Sequence, residues 1–307
     1  AVLGSGALSS NTTASNNTAV GYQAGYSNTT GPRNEAFGYR AMYANTVGSD
    51  NTAVGQLSLS TNTAGSANAA FGASSLAANT GGNFNTALGV TALQANTTAS
   101  YNTAVGYQAG YSNTTGTQNV MMGYRAGYNS TTGAYNVIVG ALDANGVIAG
   151  NSISTGTANT VVGSGAMGNG AAGAQSNNTA IGYHTLWLNT GNYNVALGSD
   201  ACLSNSSGGS NTALGTSALI FNTTASNNTA VGYQAGYANT TGYSNTFVGY
   251  AGGGSTTTGY FNTFIGDYSG YSHTTGVWNT CIGKNSGYSL TTGSKNTIIG
   301  GYNGNQN

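Results

Sequence analysis

One five-residue motif, Asn-x-x-φ-Gly with φ apolar, returns every seventeen residues along this chain. Its closing glycine stands at Gly21, Gly38, Gly55, Gly72, Gly89, Gly106, Gly123 and Gly140. After a break it recurs at Gly163, Gly182 and Gly198, then keeps step through Gly215, Gly232, Gly249, Gly266, Gly283 and Gly300; Gly4 fits the same phase. A fixed period this short means one small unit stacked many times, each copy burying its surface against its neighbours. Of the 307 residues only 3% are charged, against roughly a quarter in ordinary domains. Strict register argues against the disorder that such a composition would otherwise suggest, since disorder needs no apolar residue at fixed steps. Evenly spread glycine and the lack of apolar residues at helical spacing argue against helix.

Within one period, Asn17-Thr18-Ala19-Val20-Gly21 reads as a short strand. Tyr22-Gln23-Ala24-Gly25-Tyr26 reads as a second one, and Asn28-Thr29-Thr30-Gly31 as a turn. The expectation is therefore strand, bend, strand, turn, with each strand paired to its copy in the next coil. That makes an all-β solenoid, a β-roll or β-helix, of about 18 coils and on the order of 85 Å long. The columns supply structural residues. Asn17, Asn34, Asn51, Asn68, Asn85 and Asn102 are placed to form an amide ladder along the stack. Gly21, Gly38, Gly55, Gly72, Gly89 and Gly106 hold a position that needs an unusual backbone or a close approach. Opposite charges fall in adjacent coils of one column at Arg33 and Asp50, and again at Asp267 and Lys284.

Alternation in the strand puts Asn, the small residue and Gly on one face, and Thr and the large apolar residue on the other. The first face suits a narrow interior. The second carries Val20, Phe37, Val54, Phe71, Leu88 and Val105, and needs a cover, which a partner chain supplies most economically; a homotrimer or filament is expected. Phe247, Phe264 and Ile298 replace the small residue, so the interior must widen there or its packing must change. Three regions follow: a regular solenoid over 1–140, irregular repeats over 141–198, and a regular solenoid over 199–307. In the irregular region the glycine spacing from Gly140 to Gly163 is 23 residues, from Gly163 to Gly182 it is 19, and from Gly182 to Gly198 it is 16. Extra residues are expected to leave as loops. The first and last residues fall inside repeats, so the chain reads as a segment of something longer. Asn11 to Gly31 nearly repeats as Asn96 to Gly116 and Asn222 to Gly242, which points to growth by block duplication.

Little in the chain can do chemistry. Two histidines, His184 and His273, and five scattered acids give no metal-binding spacing. The acids Glu35 and Asp50, the closest pair in sequence, stand in different columns, so no glycosidase carboxylate pair is expected. Glycine strings such as Gly163-Ser164-Gly165 lack a phosphate-binding lysine. The reading is of a non-enzyme without cofactor or metal. Zero net charge leaves no basic patch for nucleic acid, and no apolar run is long enough for a membrane helix. Cys202 and Cys281 lie in different columns and are expected to be buried and unpaired. Tyrosine is enriched, and Tyr22, Tyr39, Tyr107 and Tyr124, with Trp187 beside the irregular region, are candidate surface contacts for a host glycan or receptor. Sequons at Asn11, Asn28, Asn96, Asn113, Asn222 and Asn239 fall in the turn, where modification is sterically open.

The Asn-Thr-Ala-Val-Gly-Tyr-Gln-Ala-Gly pattern resembles the head repeats of trimeric autotransporter adhesins, and is similar to the Asn-Thr-Gly-rich shaft repeats of phage tail-fibre proteins. The resemblance implies a homotrimeric fibre on a virion surface or cell exterior, with no catalytic residues to carry over. The expected function is that of a rigid structural and adhesive shaft that presents or contributes to receptor binding. The alternative is a single-chain ice- or surface-binding solenoid based on threonine pairs such as Thr29-Thr30, Thr114-Thr115, Thr240-Thr241 and Thr274-Thr275.

Overall fold

The computed structural model describes residues 1–301 and 303. It is an all-β parallel solenoid, and it separates into two compact units, Ala1–Ala158 and Asn159–Asn307. In the first unit the strands are β1 (Val2–Leu3), β2 (Thr18–Val20), β3 (Glu35–Phe37), β4 (Thr52–Val54), β5 (Ala69–Phe71), β6 (Thr86–Leu88), β7 (Thr103–Val105), β8 (Val120–Met122) and β9 (Val137–Val139). In the second they are β10 (Thr160–Val162), β11 (Thr179–Ile181), β12 (Val195–Leu197), β13 (Thr212–Leu214), β14 (Thr229–Val231), β15 (Thr246–Val248), β16 (Thr263–Ile265), β17 (Thr280–Ile282) and β18 (Thr297–Ile299). Within each unit every strand pairs in parallel with the next, at the register the repeat dictates: Ala53 lies beside Ala70, and Ala213 beside Ala230.

Each coil contains one strand, not the expected two. The segment after the closing glycine is a turn, because two of its residues lie in the left-handed region. In the coil of β2 these are Gln23 at φ 53° and Gly25 at φ 60°. A third left-handed residue, Asn16 at φ 61° in that coil, precedes the strand. These bends let seventeen residues close a ring, and their carbonyls and amides then bond to the neighbouring coils, as Gly25 N–H does to Ala41 at 2.9 Å.

The closing glycines justify their column. Gly55 has φ 134°, and a Cβ there would lie 2.7 Å from the carbonyl carbon and oxygen of Gly72. The closing glycines from Gly4 to Gly123 and from Gly163 to Gly283 make the same contact with the next coil, so no side chain can stand there without separating the stack.

The interior is narrow and filled in complement. The strand's central alanine faces the residue four after the closing glycine, and the sizes of the two trade off. Ala53 goes with Leu59, Ala70 with Leu76 and Ala87 with Leu93, all fully buried. In four coils a larger strand residue faces glycine, Met121 with Gly127, Phe247 with Gly253, Phe264 with Gly270 and Cys281 with Gly287, whereas Val161 faces Met167. A Cβ on Gly253 would lie 2.3 Å from Phe247 Cδ1. The packing therefore changes where the phenylalanines enter, with glycine opposite each ring making the room. Three coils are small on both sides. The gaps at Gly110 and Gly236 are filled by Met121 and Leu93, and by Phe247 and Leu219. The coil of Ala19 and Gly25 keeps a small internal gap between Leu8 and Met42. Gly253→Leu is expected to destabilise the second unit by about 1–3 kcal/mol through overpacking. Adding Phe247→Ala, which empties the space that leucine takes in other coils, is expected to restore most of that loss in a guanidinium melt.

The register breaks are absorbed locally. In the first unit, the residues after Gly140 form a small turn anchored by Asp143, whose carboxylate accepts the N–H groups of Asn145 and Val147, both at 2.8 Å. Ile148, Ala149 and Ile153 then return to the interior. In the second, Gln175 ties down the two extra residues, its Nε2 donating to the carbonyls of Ala171 (2.7 Å) and Asn189 (3.2 Å). The missing residue is taken from the turn at Asn189. Its amide reaches Gly191 two residues on, where other coils reach three.

Candidate interaction surface

The first strand residue, usually Thr, the large apolar third residue and, in many coils, a Tyr after the closing glycine point outward, because strand alternation sends the intervening residue and Gly inward. Phe37 is 37% exposed, Phe71 39% and Leu88 50%, and the column continues in the second unit through Leu197, Ile265 and Ile282. Beside it, Tyr22 stacks on Tyr39 with ring centres 5.5 Å apart, and Tyr107 on Tyr124 at 5.3 Å. All four are exposed. Tyr26 and Tyr43 form a second stacked column, half-buried. The tyrosines are thus a packing device and an accessible aromatic edge at once. Trp187 is half-buried. It packs on His184 (4.0 Å), which in turn stacks on Tyr183 (3.7 Å) and lies 3.8 Å from Asp200 of the next coil.

The asparagine column predicted as a ladder is one. The backbone N–H of Asn51 donates to Oδ1 of Asn34 (3.0 Å), and its side chain donates to the carbonyl of Gly65 one coil on (2.9 Å). The same pattern joins Asn17, Asn68, Asn85 and Asn102. A second ladder lies inside the turn. Nδ2 of Asn45 donates to Oδ1 of Asn28 (2.8 Å), Asn62 to Asn45 (2.7 Å) and Asn79 to Asn62 (2.8 Å). Each side chain also bonds the carbonyl three residues on, as Asn45 does to Gly48 at 3.0 Å. A third row is formed by threonines: the hydroxyl of Thr29 donates to the carbonyl of Thr46 (3.0 Å), and Thr46 to Thr63 (2.9 Å). The turn motif Asn-Thr-x-Gly is the sequence signal for both rows. Read as turn chemistry alone, it hides them.

This corrects the view of the sequons as open to modification. Asn28, Asn96, Asn113, Asn222 and Asn239 are at most 1% exposed and committed to the second ladder, while Asn11 is exposed. The same geometry occupies the hydroxyls of Thr29, Thr114, Thr240 and Thr274 in bonds to neighbouring coils.

The second ladder stops where its sequence stops. Ser130 follows Asn113 and Thr256 follows Asn239, and at both stops the asparagine Oδ1 is buried without a hydrogen bond. His273 stands in the next place after Thr256. It is fully buried, with Nδ1 3.2 Å from the Thr256 hydroxyl and Nε2 3.3 Å from Asn279 Nδ2. Burial pushes its pKa down from 6.5 to about 4. The folded state therefore favours neutral imidazole, a preference fully expressed above the unfolded pKa near 6.5 and lost as pH falls towards 4. Acidification over that window is expected to cost the second unit on the order of 3 kcal/mol. His273→Asn should flatten that part of the pH profile of thermal melting.

Arg33 and Asp50 pair as their column suggested, with Arg33 Nη2 2.9 Å from Asp50 Oδ2, and this hydrogen bonding holds the Asp50 carboxyl below its ordinary value. Asp267 accepts the backbone N–H of Tyr250 at 3.3 Å. Cys202 and Cys281 are free and buried, and desolvation pushes their thiols up to about 12 and about 11, which leaves them protonated and inert at neutral pH. Among the described residues no helix is long and apolar enough to cross a membrane, and no three His, Cys, Asp or Glu side chains gather as a metal site.

A search of protein-family models and of curated proteins finds no match to this chain.

Proposed function

We propose that this chain is a structural and adhesive fibre segment that works outside the cell or on a virion surface. In this reading the outward apolar column is the contact face for further copies, in a homotrimer or filament. The observation that carries the reading is the column from Phe37 to Leu88. It is apolar in every coil, uncharged apart from Glu35 in the adjacent threonine column, and uncovered by the chain itself. Soluble monomers rarely leave a continuous apolar stripe in water. The resemblance to adhesin-head and tail-fibre repeats supports the same assignment, and the scarcity of ionisable groups suits a shaft better than an enzyme. Phe71→Thr with Leu88→Thr is expected to leave the coils folded, because neither side chain enters the interior, and to lower the native mass. An unchanged mass in a folded double variant would remove this face from the assembly.

A second reading, an ice- or surface-binding solenoid, rests on threonines other than the turn pairs. Thr212, Thr229, Thr246, Thr263, Thr280 and Thr297 occupy one outward strand position in successive coils, in register. Their even spacing suits a crystalline lattice. Absence of thermal hysteresis in concentrated protein would dismiss this reading.

A further inference from the structure

The strongest feature unexplained by the coil lies at the turn before the strands of the second unit. Tyr243 and Tyr260 stack in parallel with ring centres 4.8 Å apart. Phe261 stands edge-on to both, at 5.3 Å and 5.4 Å, and Trp278 lies against Phe261 at 4.5 Å. Three of the four are exposed; Trp278 is 56% so. None supports the interior.

Two of them also occupy a poor backbone position. Phe261 has φ 57° and Trp278 φ 62°, in a column that is left-handed in every described coil and holds Asn16, Asp50, Asn177 and Asn227, but also the exposed rings of Phe84, Tyr101, Tyr135 and Tyr193. Asparagine and aspartate tolerate left-handed backbone, whereas bulky aromatics adopt it at a cost. Large rings that lose conformational energy and gain no core burial are candidates for a binding role. Their surroundings indicate the ligand. Over these four coils the two columns read Tyr243-Ser244, Tyr260-Phe261, Val277-Trp278 and Ser294-Lys295. Coil contacts hold them in sequence, with the Trp278 N–H bonded to Tyr260 at 3.3 Å and that of Lys295 to Val277 at 2.9 Å. Flat aromatic faces with a hydroxyl rim match the two-sided chemistry of a sugar, whose C–H face stacks while its hydroxyls hydrogen-bond. Over these four coils Lys295 is the one charged side chain in the two columns, and no carboxylate stands beside it there.

We propose that Tyr243, Tyr260, Phe261, Trp278 and Lys295 form a binding site for an acidic saccharide, with a sugar ring stacked on Phe261 and Trp278 and its carboxylate paired with Lys295. This deepens the adhesive part of the function above, and it stands apart from self-association because it uses a different column. Hexagalacturonate is titrated into the full chain by calorimetry, with cellohexaose as the neutral counterpart. Binding of hexagalacturonate is expected, tighter than that of cellohexaose. Phe261→Asn and Trp278→Asn should each weaken it at least about tenfold, and Lys295→Gln several-fold. Asparagine already stands in that column at Asn16, Asn177 and Asn227 and tolerates left-handed backbone, so the melting of both variants should match or exceed that of the parent. No binding of hexagalacturonate at millimolar concentration, or equal binding by the folded asparagine variants, overturns the site. Equal affinity for cellohexaose overturns the role of Lys295. A monomeric native mass would count against the fibre assembly and leave each of these outcomes as it stands.

Discussion

Gly55→Ala is expected to destabilise the first unit by at least about 4 kcal/mol, while Gly48→Ala, seven residues earlier in the chain, is expected to cost less than about half of that. Both glycines are crowded: an added Cβ would lie 2.7 Å from the Gly72 carbonyl at position 55, and 2.4 Å from the Gly65 oxygen at position 48. The difference is conformational. Gly55 sits at φ 134°, outside even the left-handed region that an L-residue visits, and its clash is with the backbone of the paired coil. Gly48 has an ordinary φ, and its column accepts alanine at Ala99 and Ala225, both buried. At Ala99 the carbonyl still receives Asn85 at 2.9 Å and Asn96 at 3.0 Å, so the stack adapts there without losing its ladders. Guanidinium midpoints of the two variants give the comparison directly. Equal losses would mean that close packing alone, and not backbone conformation, fixes the closing glycine.

The second large effect is expected at the centre of the first ladder. Asn68 joins three coils: its N–H and Nδ2 donate to Oδ1 of Asn51 (3.0 and 3.1 Å), and Nδ2 donates also to the carbonyl of Gly82 (2.8 Å). Its own Oδ1 receives the N–H and the Nδ2 of Asn85 at 3.0 and 3.1 Å. Asn68→Ala removes that acceptor. Gly82 keeps Asn79 and the Asn85 side chain keeps Ala99, but the Asn85 N–H is left buried without a partner. An orphaned buried donor, added to the lost bonds, gives an expected loss of about 3–5 kcal/mol. Amide hydrogen exchange should locate it: protection should fall first at Asn85. An exchange pattern unchanged at Asn85 would mean that water or a shifted neighbour replaces the lost acceptor.

Much of the coil was legible because stacking makes each column a separate constraint. Asn17 to Asn102 and Gly21 to Gly106 could be named as structural because no other residue satisfies, coil after coil, a shared amide or a shared close approach. The outward direction of Phe37, Phe71 and Leu88 followed from alternation alone. Two features were hidden by local resemblance. Tyr22 to Tyr26 has the composition of a strand, but left-handed residues at Gln23 and Gly25 turn it into a bend, and side chains as varied as glutamine, arginine, leucine and histidine fill the first of those positions. Asn28-Thr29 has the composition of a turn, and it is a turn, yet its side chains also form two rows between coils. Single-coil reasoning cannot see those rows, since their partners lie seventeen residues away. The exposed rings at Phe261 and Trp278 escaped notice because they break no period. Phe84, Tyr101, Tyr135 and Tyr193 share their column, backbone and exposure, and only the meeting of four rings one coil before Lys295 sets them apart.

We propose that the outward column of this solenoid is a contact face between copies. Light scattering on the purified chain tests it most directly. A native mass of three times the 30.4 kDa chain is expected, or a larger multiple if the copies extend into filaments. A mass of one chain, unchanged at high protein concentration, would contradict it and leave the apolar column open to solvent or to a different partner.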